Sequence, residues 1–177
     1  MSENDHLIQL DNIGNILSDI GSKLIQNKKL MRLIKYNQSN ALSSSLPDVT
    51  MTEIIKLVGK NPNHLQEQRI FKVLINDNII DEVRVELRFG VSTIQPINLH
   101  IAKLPIDFQI IVHNSLWELD DNKFRAFEII KELLSDLNGN SDDVKGVGQL
   151  QLIKPISFII FNKNFSGYAM IMNIGTN

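Results

Sequence analysis

The sequence predicts an α+β domain: a mostly antiparallel sheet of about four to six strands, packed by one main amphipathic helix, with a further helix at the N-terminus. Three observations predict it. Phe124, Phe127, Ile130, Leu134 and Leu137 recur at helical spacing, with Ile129 and Leu133 widening the stripe. Two runs alternate with period two: Val83, Val85, Leu87 and Phe89 against Arg84, Glu86 and Arg88, and later Tyr168, Met170, Met172 and Ile174 on one face. Hydrophobic residues make up 43% of the 177, enough for one real core and too many for a disordered chain.

Residues 5–35 read as helical. Ile13, Ile16, Leu17, Ile20 and Leu24 form one apolar stripe, and Leu30, Leu33 and Ile34 form a second. A break is expected near Gly21 or Asn27, and the helix packs either on its own domain or on a neighbouring subunit. Residues 37–50, NQSNALSSSLPDVT, are a loop by composition. Thr50 or Thr52 then caps a short helix, MTEIIKLV, closed by Gly59. Asn61-Pro62-Asn63 and Asn76-Asp77-Asn78 are turns on either side of a strand, RIFKVLI. That strand and the Val83–Phe89 run read as a hairpin, with the Arg-Glu-Arg row facing solvent or a polar interface. Pro96 and Pro105 argue against a continuous central strand over residues 90–106, so this stretch is expected as a broken strand or extended loop. Phe108, Ile110, Ile111 and Val112 suggest a buried strand, Asp120 or Asp121 an N-cap, and Asn138-Gly139 the end of the helix. Gly146 and Gly148 open a strand, QLQLIKP, and Asn162–Asn164 turn into the last one. The expected organisation is an N-terminal helical segment (1–36), a loop (37–50) and a single α+β domain (51–177).

Eighteen basic residues stand against 20 acidic ones, which argues against binding through a large positive field. Cysteine is absent, excluding disulfides and thiolate metal sites. No apolar run approaches the roughly 20 residues of a membrane span, and MSENDHL lacks the start of a secretory signal, so synthesis and retention in a cytoplasm are expected. His6, His64, His100 and His113 lack partners at metal-ligand spacing, and His113 reads as a hydrogen-bonded strand-end residue. Asp120 and Asp121 are better explained as caps than as a catalytic pair. Gly146-Val147-Gly148 follows a helix and precedes a strand, the reverse of a phosphate loop. The expectation is therefore no enzyme, no catalytic residue, no metal and no cofactor.

Several stretches together resemble the small neck proteins of tailed bacteriophages, the tail-terminator, tail-completion or head–tail connector family. They are LMRLIKY (30–36) with LPDVT (46–50), FQIIVHNSLWELDDNKFRAFEII (108–130), GVGQLQL (146–152) and NKNFSGYAMIMNI (162–174). The resemblance implies a structural virion protein: a homo-oligomeric ring of six or twelve subunits, between portal and tail, with DNA passing through the lumen. It implies the portal or connector and the tail proteins as partners, location at the head–tail junction, and no membrane. Heterologous contacts that close by rotation would build such a ring. Edge strands and the two long loops would be its adhesive surfaces. The interface candidates are Leu42 and Leu46, the row Arg84, Glu86 and Arg88, and Ile94, Ile97 and Leu99. The competing reading is a small non-enzymatic accessory or binding module on the same core, with ordered loops.

Overall fold

A computed structural model describes residues 4–59, 66–74, 82–93, 95–96, 102–138 and 150–174. The helices are α1 (Asn4–Leu24), α2 (Lys28–Lys35), α3 (Met51–Val58) and α4 (Arg125–Leu137). The strands are β1 (Ile70–Phe71), β2 (Val85–Val91), β3 (Gln95–Pro96), β4 (Ala102–His113), β5 (Glu118–Leu119), β6 (Lys123–Phe124), β7 (Leu150–Leu152), β8 (Ser157–Ile160) and β9 (Phe165–Ile174). Among the described residues seven strands form the main sheet, in the order β1-β2-β4-β9-β7, with β3 beside β4 and β8 beside β9; β5 and β6 form a separate two-strand ladder. All main-sheet pairs are antiparallel except β1 with β2. The architecture is the expected α+β one.

One face of the sheet and the helix layer share a single core. Val85, Leu87 and Phe89 of β2 meet Ile106, Phe108, Ile110 and Val112 of β4 and Met170 and Met172 of β9 there. Phe89 and Phe108 stack at 5.8 Å between ring centroids. From the helices come Ile16, Ile20 and Leu24, then Leu30, Leu33 and Ile34, then Ile129 and Leu133. Full burial of each such side chain contributes about 1.5–3 kcal/mol. The N-terminal stripe thus packs on its own chain.

Local signals explain the helix ends. Asn27 breaks the long helical run, and its side-chain oxygen accepts from the Leu30 amide at 2.9 Å as the α2 N-cap. Its amide nitrogen donates to Glu132 at 3.0 Å and to Asp136 at 2.8 Å, fastening α2 to α4. Thr50 and Glu53 form a capping box on α3, and Gly59 ends it with φ 66°, left-handed geometry that glycine adopts without steric cost.

Four expectations need correction. The residues 69–75 strand shrinks to Ile70–Phe71 and runs parallel to β2, so no hairpin joins them. Pro105 lies inside the central strand β4. It is tolerated because β2 ends opposite Ile106 and β3 begins opposite Lys103, leaving the flank beside Pro105 without a ladder partner. The stripe of α4 is rotated: Ala126, Ile129, Ile130, Leu133 and Leu137 are buried, while Phe124 and Phe127 are about half exposed. Neither Asp120 nor Asp121 caps α4. The helix follows Phe124, which makes no side-chain cap bond, and Asp121 and Asn122 take left-handed φ of 63° and 57° in the turn between β5 and β6. The turns at Asn61-Pro62-Asn63 and Asn76-Asp77-Asn78 and the glycines Gly146 and Gly148 lie outside the described residues.

Candidate assembly surface

The expected interface residues separate into three groups. Arg84, Glu86 and Arg88 do not face solvent: their relative exposures are 1%, 0% and 3%. They lie on the side of β2 away from the helices, beside Gln109 and Ile111 of β4. Glu86 accepts from both arginines, from Arg84 Nε at 2.7 Å and Nη2, and from Arg88 Nε at 3.1 Å and Nη2 at 2.6 Å. Arg84 Nη1 also donates to the Gln66 carbonyl at 3.2 Å, and the Arg88 guanidinium lies 5.5 Å from the Phe71 ring centre. Each charge is thus satisfied inside the chain, as buried ions require. Period-two alternation correctly put these residues on one face but could not tell a solvated face from an internal ion triad.

Leu42 and Leu46 are partly buried, and Leu42 packs on the protein's own core. Their loop is pinned. Arg125, fully buried, donates to the carbonyls of Leu116 (2.9 Å), Leu33 (2.7 Å), Tyr36 (2.8 Å) and Gln38 (2.6 Å). Arg69 Nη1 donates to the Ile34 and Lys35 carbonyls and to Asn37 Oδ1, each at 2.8 Å. Arg32 reaches the carbonyls of Ala41 (3.2 Å) and Ser43. These cations sit on the negative C-terminal end of α2 and the chain that leaves it. Burial, with Arg69 nearby, pushes the Arg125 pKa down to about 10. Ile94, Ile97 and Leu99 lie outside the described residues. His113 ends β4 as expected: its Nδ1 accepts from the Ser115 amide at 3.2 Å, and its ring meets Phe165 edge-on at 5.0 Å.

What the sequence reading missed is an aromatic ridge where α4 passes over the β8 edge of the sheet. Phe127 lies 5.3 Å from Tyr168 and 6.0 Å from Phe124 between ring centroids. Phe158 lies 5.5 Å from Tyr168 and 5.9 Å from Trp117. Register puts Phe158 opposite Tyr168, and Ile160 two positions on shares their face. Exposures of 50% for Phe127, 54% for Phe158 and 71% for Ile160 leave this ridge open. Trp117 Nε1 is buried within it and has no hydrogen-bond partner. A signal was present: α4 carries more apolar residues than one stripe can bury, and Phe127 is the surplus.

A second apolar surface lies at the opposite lateral edge of the sheet, beside β1. It is a shallow groove of about 80 Å³ between the end of α1, helix α3 and strand β1, lined among others by Gly21, Ile25, Met51, Ile55, Lys72 and Phe89. Met51 is 64% exposed and Ile55 49%. Among the described residues no group of three or more His, Asp or Glu could hold a metal ion, and no helix is long and apolar enough to cross a membrane.

No curated protein and no solved structure matches the chain. A model of one protein family, YomW, matches residues 27–174.

Proposed function

Because the chain belongs to the YomW family, a phage-derived family, we propose that it is a structural virion protein forming a homo-oligomeric ring in the phage neck. In this reading the ring has six or twelve subunits and terminates the tail or joins it to the portal. DNA passes through its lumen without sequence-specific contacts, and the chain carries no enzymatic activity. The observation that carries the reading is the aromatic ridge of Phe127, Phe158, Ile160 and Tyr168. Large aromatic side chains left open at a sheet edge are typical of assembly surfaces and are enriched in interface cores. Further support comes from the phage-neck resemblance over most of residues 30–174, weaker over 90–106. A near-neutral charge suits a lumen that must release phosphates rather than hold them.

Negative-stain microscopy of the pure protein, alone and mixed with the portal and tail-tube proteins of the same phage, tests this. Closed rings, alone or on either partner, are expected. A monomer that binds neither partner refutes the neck reading. One observation favours the alternative, a non-enzymatic accessory or binding module: Arg32, Arg69 and Arg125 hold the 36–43 segment from within the same chain. That module would stay monomeric or dimeric in the same experiment.

A further inference from the structure

We infer that the aromatic ridge of one copy seats in the α1/α3 groove of the next, so that the chain associates with itself head to tail. The inference rests on the assembly reading above and names the two surfaces that meet. Its basis is the placement of the two surfaces. The sheet order puts β1 at one lateral edge and β7 and β8 at the other. The groove lies over β1, and the ridge lies over β8. Both are on the helix-covered side. Ile70, in register with the core residue Leu87, looks into the groove, while Phe158 is in register with Tyr168, which packs on the same core. A single kind of contact between copies can cover two unlike apolar surfaces on opposite edges of one layer only if it is heterologous. A two-fold contact of ridge on ridge would leave the groove open.

Shape agrees with this pairing. The ridge projects Phe127, Phe158 and Ile160, whereas the groove is a depression in which Gly21, lacking a side chain, leaves room beside Lys72. A Cβ on Gly21 would come within 3.1 Å of Lys72 Cε. Size agrees as well. Phe127 and Phe158, with Phe124 beside Phe127, are each about half exposed, and together with the mostly exposed Ile160 they present roughly 400 Å² of apolar surface, taking about 200 Å² for each aromatic residue. That is about half of the roughly 800 Å² each partner contributes to a standard interface, the share expected of an apolar core inside a polar rim.

Complementation by two charge substitutions tests the pairing. Phe158→Asp spoils the ridge and keeps the groove; Met51→Asp spoils the groove and keeps the ridge. Both positions are exposed, so each variant is expected to keep the parent circular dichroism and melting temperature. Sedimentation velocity should find assembly of the parent, alone or on its portal or tail partner, and at least a tenfold loss of it for each variant. A 1:1 mixture of the two variants should recover a dimer and no larger species, since only one good contact remains. Because the chain has no cysteine, Ile55→Cys and Ile160→Cys give a second readout. A short bis-maleimide should link the two variants when mixed, and link neither to itself. Self-linking of Ile160→Cys overturns the inference in favour of a two-fold ridge contact. Ring formation that neither charge variant disturbs also overturns it, while leaving the ring reading standing. A parent chain that never self-associates, alone or with portal and tail proteins, removes both.

Discussion

Replacing Arg125 by Met should destabilise the protein far more than a surface arginine would. The side chain keeps a similar length but loses every donor. Four main-chain carbonyls then lose a partner, and two of these bonds, to Leu33 and Leu116, are buried. A buried carbonyl left unpaired costs about 1–3 kcal/mol, so these two alone set a loss of about 2–6 kcal/mol. The bonds to Tyr36 and Gln38 are only part-buried, so their carbonyls can recover water. Removing a buried charge returns some desolvation energy, and the net expectation is about 3 kcal/mol. At this chain length that lowers Tm by about 6–12 °C. Arg125→Lys keeps the charge but offers one nitrogen where three now donate, so it should lose about half as much. Urea unfolding followed by circular dichroism, with calorimetry alongside, reads both. Arg69 holds the neighbouring carbonyls of the same helix end, so combining Arg69→Met with Arg125→Met should give less than the sum of the two. An Arg125→Met protein within about 1 kcal/mol of the parent would refute the idea that this cation holds the C-terminal end of α2.

Other substitutions probe other parts of the fold. Glu86→Gln leaves two buried arginines without their shared carboxylate and should cost about 3–5 kcal/mol in urea unfolding. Acid titration tests the capping box. Hydrogen bonds from Lys35 and then Thr50 hold the Glu53 pKa down to about 2, so its contribution is present above the ordinary glutamate range near pH 4.5 and fades as pH falls towards 2. Glu53→Gln should therefore flatten the loss of stability across that window, by less than about 1 kcal/mol because the pair is partly exposed. Gly167→Ala should disrupt the β4–β9 pairing, since a Cβ there would run into the Ile110 carbonyl; loss of cooperative thermal unfolding is the expected readout.

Much of this fold was legible because its signals are local. Asn27, Thr50, Glu53 and Gly59 mark helix ends through bonds to groups within three residues, and those ends fall where the residues placed them. Alternation put Val85, Leu87 and Phe89 on one face, and Tyr168, Met170 and Met172 on another, and both faces meet the core. Failures came where the deciding partner is distant. A two-residue parallel strand has no period to detect. The Arg84-Glu86-Arg88 row looked solvated because nothing local reports what covers it. Nothing near Arg125 marks it as a buried anchor; its Leu33, Tyr36 and Gln38 acceptors lie 87 to 92 residues away. The aromatic ridge was partly visible as surplus apolar residues, but Phe127 was absorbed into a stripe that the helix had rotated away from it.

The outer side of β9 carries two short strands rather than one long one. β7 covers residues 172–174 and β8 covers 166–169, and Lys154 and Pro155 occupy the stretch between them. An uninterrupted apolar strand at this position would be a template for amyloid-like growth, with chain after chain adding in register. Here the run open to another backbone is four residues long, and a proline that cannot donate a ladder bond stands just before it. Such an edge is too short to propagate a fibre. The chain can thus keep Phe158 and Ile160 exposed without polymerising through its backbone.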